Sequence, residues 1–184
     1  LIGLVVSEMC IRDRLVNDDS SAADAEIIAT VIDCFNEIGI SDFQIEIGQI
    51  DYFKGLVAES GISEDEEDQI KEYIHIKNFF GLEEYVDALD ISDSLKKAFV
   101  AFDSLFGGIS MLDKAEGYVS NETSLEAVKR LRRVYAALEC YGYQDHISFD
   151  LGMLDGYNYY TGIIFRGYTY GTGDAVVKGG RYNN

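Results

Sequence analysis

The stretch from Phe149 to Asn184, FDLGMLDGYNYYTGIIFRGYTYGTGDAVVKGGRYNN, decides how the chain is read. Ile163, Phe165, Gly167 and Thr169 interleave with Ile164, Arg166, Tyr168 and Tyr170, a β-branched and aromatic run that suits a pleated surface. Gly171, Thr172 and Gly173 supply a turn, and Asp174 to Lys178 read as the returning strand of a β-hairpin. Gly179 and Gly180 let that strand approach another segment closely. The hairpin therefore brings Tyr159, Tyr160 and Arg181 to one end.

At these residues the chain resembles the histidyl-tRNA synthetase family, whose second histidine-specific motif runs LVRGLDYYTG and whose later strand contains GGRYD. Tyr159, Tyr160, Thr161 and Gly162 match the first motif and Gly179 to Tyr182 the second. Upstream, DAEII at Asp24 to Ile28 and FQIEIG at Phe43 to Gly48 are similar to the helix and strand that follow the family's second general motif. The resemblance covers residues 20 to 184. It implies an α+β fold: part of a class II aminoacyl-tRNA synthetase-like antiparallel sheet, flanked by helices, with a mainly helical insertion. It also implies a histidine-like pocket of Asp155, Tyr159, Tyr160, Thr161, Gly179, Gly180 and Arg181. The plainer readings stand beside it: a Tyr-Tyr pair next to strands also serves as core packing with a wet hydroxyl, Asp155 suits a turn, and Arg181 has many carboxylates to pair with.

One departure bears on chemistry. With the motifs aligned on YYTG, Asp155 stands where the synthetases carry an arginine. In the resembled enzymes that arginine faces the α-phosphate as the histidine carboxylate attacks it, stabilising the developing charge. Unit charges about 4 Å apart interact by about 4 kcal/mol at an effective dielectric of about 20, so reversing one sign is a swing of about 8 kcal/mol. Even a fraction of that removes several powers of ten in rate. No arginine lies between Arg133 and Arg166, so shifting the alignment restores nothing. GGRYNN also departs from GGRYD at Asn183.

A synthetase-like pocket without its activating arginine resembles the ATP phosphoribosyltransferase regulatory subunits, non-catalytic paralogues of histidyl-tRNA synthetase. That resemblance implies a hetero-oligomer with the short-form ATP phosphoribosyltransferase catalytic subunit, which carries the chemistry, and histidine as the feedback effector. A synthetase fragment and a histidine-binding paralogue with another partner are the alternatives. The resemblance brings no cofactor.

Composition bounds these expectations. The chain has 184 residues, 47% of them hydrophobic, enough for one domain or a large part of one. A net charge of -18 argues against broad contact with a nucleic-acid backbone, so no tRNA is expected on it. Cys10, Cys34 and Cys140 are widely spaced and His75 and His146 sit in no nucleophile or ligand motif, which argues against a metal site or disulfide framework and fits a reducing cytoplasm. No apolar run reaches the roughly 20 residues of a membrane span.

The flanks and the middle complete the reading. VSEMCIRDR at Val6 to Arg14 resembles sequencing-adapter read-through, so residues 1 to 14 are set aside as a non-native leader and residues 15 to 184 taken as a partial catalytic-type domain. The family's first two general motifs belong upstream of Leu15 and are absent, which predicts exposed sheet edges and marginal stability. Residues 49 to 141 read as mainly helical, the helical region proper at about 60 to 141. Ile27, Ile28, Val31, Ile32, Phe35 and Ile38 stand at helical spacing, with Ser20 or Ser21 as cap and Gly39 as stop. Ser63 with Glu66 forms a capping box, Ser92 and Asp93 open a stretch through Leu95, Phe99, Phe102 and Phe106, and Leu125, Val128, Leu131, Val134, Tyr135 and Leu138 form a stripe ending near Gly142. The acidic run Glu64 to Asp68 favours a helix start, and the basic cluster Lys129, Arg130, Arg132 and Arg133 reads as a solvated face, with an acidic subunit surface as the guess for any partner.

Overall fold

The computed structural model describes residues 14–154 and 158–182. The chain opens with α1 (Ser21–Glu37), β1 (Phe43–Gln49), α2 (Ile50–Ser60), α3 (Glu64–His75), α4 (Phe79–Asp87) and α5 (Asp93–Val100). It continues with β2 (Phe106–Gly107), α6 (Met111–Gly117), α7 (Glu122–Cys140), β3 (Ile147–Asp150), β4 (Ile163–Thr169) and β5 (Val177–Gly180). Among the described residues the strands form one sheet in the order β2-β3-β1-β4-β5. The architecture is α+β, with one difference from the all-antiparallel expectation: β1 and β3 run parallel, Ile45 opposite Ile147 and Ile47 opposite Phe149. A parallel pair needs a long crossover, and the helices from α2 to α7 are that crossover.

Local chemistry explains most boundaries. The Ser20 hydroxyl accepts from the Ala23 amide at 3.1 Å and caps α1, and the chain leaves that helix through Gly39, whose φ of +78° suits glycine. Ser63 and Glu66 make the reciprocal capping box of α3. Ser92 caps α5, but that helix ends at Val100; a 3-10 turn over Ala101–Asp103 follows, and Phe106 lies 63% exposed in β2 instead of continuing an apolar stripe. The returning strand of the hairpin also starts later than its β-propensity suggested. Residues 170 to 176 form the turn, whose Gly171 has φ of +88°, and β5 takes in Gly179 and Gly180.

The sheet has two distinct faces because strand side chains alternate. Ile45, Ile47, Phe149, Ile163 and Phe165 point into the main core with Ile28, Ile32 and Phe35 of α1 and Val128, Leu131, Val134 and Leu138 of α7. Ile38, expected on that stripe, is exposed. On the other face, Ser148, Glu46, Arg166 and Lys178 stand opposite one another across four strands. Ile50, Met153 and Ile164 make a small second cluster there, with Tyr160 packed against it. α2 and α7 press together where Gly55 faces Asn121 and Ser124, and the Ser124 hydroxyl donates to the Tyr52 carbonyl oxygen at 2.8 Å.

Candidate functional site

The two motifs meet at the start of β4 and the end of β5. The Thr161 amide donates to the Arg181 carbonyl oxygen at 2.8 Å, and the Arg181 amide donates to the Ile163 carbonyl oxygen at 2.7 Å. Those bonds lay the Tyr-Tyr-Thr-Gly segment across the Gly-Gly-Arg-Tyr segment. The glycines set the spacing: a Cβ on Gly180 would stand 2.7 Å from Cδ1 of Tyr160, and one on Gly179 would stand 2.3 Å from Cζ of Phe165. The Tyr160 ring therefore lies against bare backbone.

Three tyrosines cluster at this corner. The Tyr159 and Tyr160 rings are edge to face at 5.0 Å, Tyr159 and Tyr182 are 5.5 Å apart, and the Arg14 guanidinium stands 6.0 Å over the Tyr182 ring. Tyr159 is exposed and Tyr160 half-buried. Burial first, then the neighbouring Tyr159 and Tyr182, pushes the Tyr160 hydroxyl above the ordinary tyrosine range. The rings line a cleft of about 950 Å³ between residues 14 to 19, α1 and β5.

Arg181 does not stand loose in this cleft. Its Nε donates to Oδ1 of Asp24 at 2.9 Å, and two further nitrogens donate to the carbonyl oxygens of Asp18 at 3.0 Å and Ser20 at 3.2 Å. The other oxygen of Asp24 takes Nε of Arg130 at 2.8 Å, and Arg130 also donates to the Asp19 carbonyl oxygen at 2.7 Å. The Asp24 side chain is only 4% exposed. The sequence had marked Arg181 as a pocket residue with a structural alternative, and the structure supplies that alternative's partner. Asp24 was visible only as a letter of the DAEII match. Its partners lie 106 and 157 residues away, where no local pattern reaches.

Of the expected pocket residues, Tyr159, Tyr160, Thr161, Gly179, Gly180 and Arg181 are brought together here, while Asp155 lies outside the described residues, as does Asn183, the departure from GGRYD. A separate cavity of about 360 Å³, against Lys71, His75 and Leu154, gathers none of them. His146 stacks on Phe43 at 4.1 Å, an ordinary packing role. In the basic cluster, Arg132 pairs with Asp113 and Glu116, Arg133 with Glu126, and Arg130 with Asp24, so these charges are held within the chain. Among the described residues no group of three or more His, Cys, Asp or Glu side chains is placed to hold a metal ion, and no helix is long and apolar enough to cross a membrane.

Comparison with known proteins places the chain in a family. An ATP phosphoribosyltransferase regulatory subunit from Acetivibrio thermocellus is 43% identical over 170 residues, covering 92% of this chain and 41% of that protein. The chain thus spans about two-fifths of the length of that relative. A crystal structure of an ATP phosphoribosyltransferase regulatory subunit/histidyl-tRNA synthetase from Bacillus halodurans superposes with a TM-score of 0.84 at 32% identity, covering 91% of this chain and 44% of that one. An ATP phosphoribosyl transferase (HisG:HisZ) complex from Thermotoga maritima shares the fold, with a TM-score of 0.72 at 18% identity over 90% of this chain and 58% of that one. The family model described as histidyl-tRNA synthetase matches residues 14–184, and the chain belongs to that family.

Proposed function

We propose that the chain is part of a non-catalytic regulatory subunit that assembles with the short-form ATP phosphoribosyltransferase catalytic subunit, supports its activity in the first step of histidine biosynthesis, and passes on feedback inhibition by histidine. The observation that carries this reading is the 43% identity, across 92% of the chain, to a protein named for that role. The sequence departure at Asp155 agrees with it, since a carboxylate in the arginine's place repels an α-phosphate. On this reading the Tyr159, Tyr160 and Tyr182 corner is the histidine site, tRNA is not a ligand, and the complex works in the cytoplasm. Residues 15 to 184 then form part of a synthetase-type domain.

Arg181 fits the same picture as a wall residue, because Asp24 and two backbone carbonyls already take its donors. The test is made on the full-length protein, by light scattering with the short catalytic subunit and by histidine-dependent pyrophosphate exchange. A stable hetero-complex with no exchange activity is expected. Exchange by the protein alone, with no complex, would return it to the synthetases.

A further inference from the structure

We propose that Asp24 is the positioning residue of the tyrosine-lined cleft: by holding Arg130 and Arg181 from opposite sides, its carboxylate fixes the distance between the cleft's two walls. Each guanidinium puts two nitrogens on one carboxylate oxygen, Arg181 on Oδ1 at 2.9 and 2.8 Å and Arg130 on Oδ2 at 2.8 and 2.8 Å. The same two guanidiniums hold the carbonyl oxygens of Asp18, Asp19 and Ser20, which make up the wall leading into α1. The opposite wall hangs on the Arg181 backbone, which is bonded to Thr161 and Ile163 and followed by Tyr182. One carboxylate in the first turn of α1 thereby ties α1, α7, β5 and the entering segment to each other.

The chemistry requires an anion at this place. An asparagine would turn an amide NH₂ toward one of the guanidiniums, donor against donor, and would leave two cations with no countercharge between them. The released guanidiniums would let go of the three carbonyls, and the Tyr159, Tyr160 and Tyr182 rings would lose their fixed spacing. The main core has its own fastening, with the Tyr52 hydroxyl donating to the Ala115 carbonyl oxygen at 2.9 Å.

The binding arm of the test rests on the reading of the cleft as a histidine site, and the spectroscopic arm does not. The full-length protein is labelled with 3-fluorotyrosine, and the fluorine resonances of Tyr52, Tyr159, Tyr160 and Tyr182 are assigned by single Tyr→Phe replacements. In Asp24→Asn the three cleft resonances are expected to move while Tyr52 stays, and histidine binding measured by calorimetry is expected to weaken by about tenfold or more. Cleft resonances that stay in place in the folded variant would overturn the proposal. Cleft resonances that move in a protein whose parent binds no histidine would uphold the role of Asp24 and remove the histidine reading instead. Where Asp24→Asn loses the Tyr52 resonance as well, Arg181→Lys decides: lysine keeps the charge beside Asp24 but cannot span the Asp18 and Ser20 carbonyls. Movement of the cleft resonances then supports the proposal, and unmoved resonances overturn it.

Discussion

Gly179 and Gly180 govern how near the Tyr-Tyr segment comes to β5, and their replacement measures that closeness. Gly179→Ala drives a methyl group into the Phe165 ring, 2.3 Å away, and is expected to destabilise the fold by about 1–3 kcal/mol in urea unfolding, the usual cost of overpacking. Gly173→Ala is the control. Its Cβ meets nothing within 4 Å, so a change of no more than about 1 kcal/mol is expected. Equal losses at the two positions would show that the contact with Phe165 does not set the strand spacing. The two glycines were legible in the sequence because a Gly-Gly pair in a strand announces close approach. The Asp24 hub was not, because an aspartate in a first helical turn already satisfies the local rule for helix starts and gives no sign of two arginines arriving from distant elements.

At the scale of elements, β1 and the α2–α7 crossing carry the sharpest expectations. Glu46 lies half-buried on the polar face of the sheet, and burial first, then Asp150, raises its carboxyl above the ordinary range against the opposing pull of Lys77 and Arg166. The folded state thus holds this proton more tightly than the unfolded chain. Its contribution to stability is present below the ordinary glutamate value and is lost as pH rises through the folded value, leaving ionised Glu46 a net cost at neutral pH. Glu46→Gln is expected to raise stability at neutral pH and to flatten the decline just above the ordinary glutamate range, read from urea unfolding across that span. An unchanged slope would remove Glu46 as its source. Gly55→Ala tests the crossing: its methyl would stand 2.3 Å from Oγ of Ser124, and a loss of about 1–3 kcal/mol is expected in thermal unfolding, with a neutral result contradicting the close approach. Caps and stripes made α1, α3 and α7 readable, and alternation made β1 and β4 readable. β2 was missed because two residues carry no period, and the parallel pairing of β1 with β3 was missed because it joins segments about a hundred positions apart that no turn connects.

The whole molecule carries a net charge of -18, and its self-repulsion opposes the compact state. Salt screens such repulsion, so the thermal midpoint is expected to rise between low and roughly 0.5 M ionic strength, where the Debye length falls below about 8 Å. A midpoint that falls with salt would mean that the ion pairs around Asp24 and α7 outweigh the repulsion. The proposed function is that of an assembly, and the chain spans 41% of the Acetivibrio thermocellus relative's length, so it is tested on the full-length protein. The most direct measurement mixes the full-length protein with a short ATP phosphoribosyltransferase catalytic subunit from the same source and follows phosphoribosyl-ATP formation with and without histidine. Activity that appears only in the mixture and falls when histidine is added is the expected result. No stimulation in the mixture, with histidine-dependent pyrophosphate exchange by the protein alone, would contradict it.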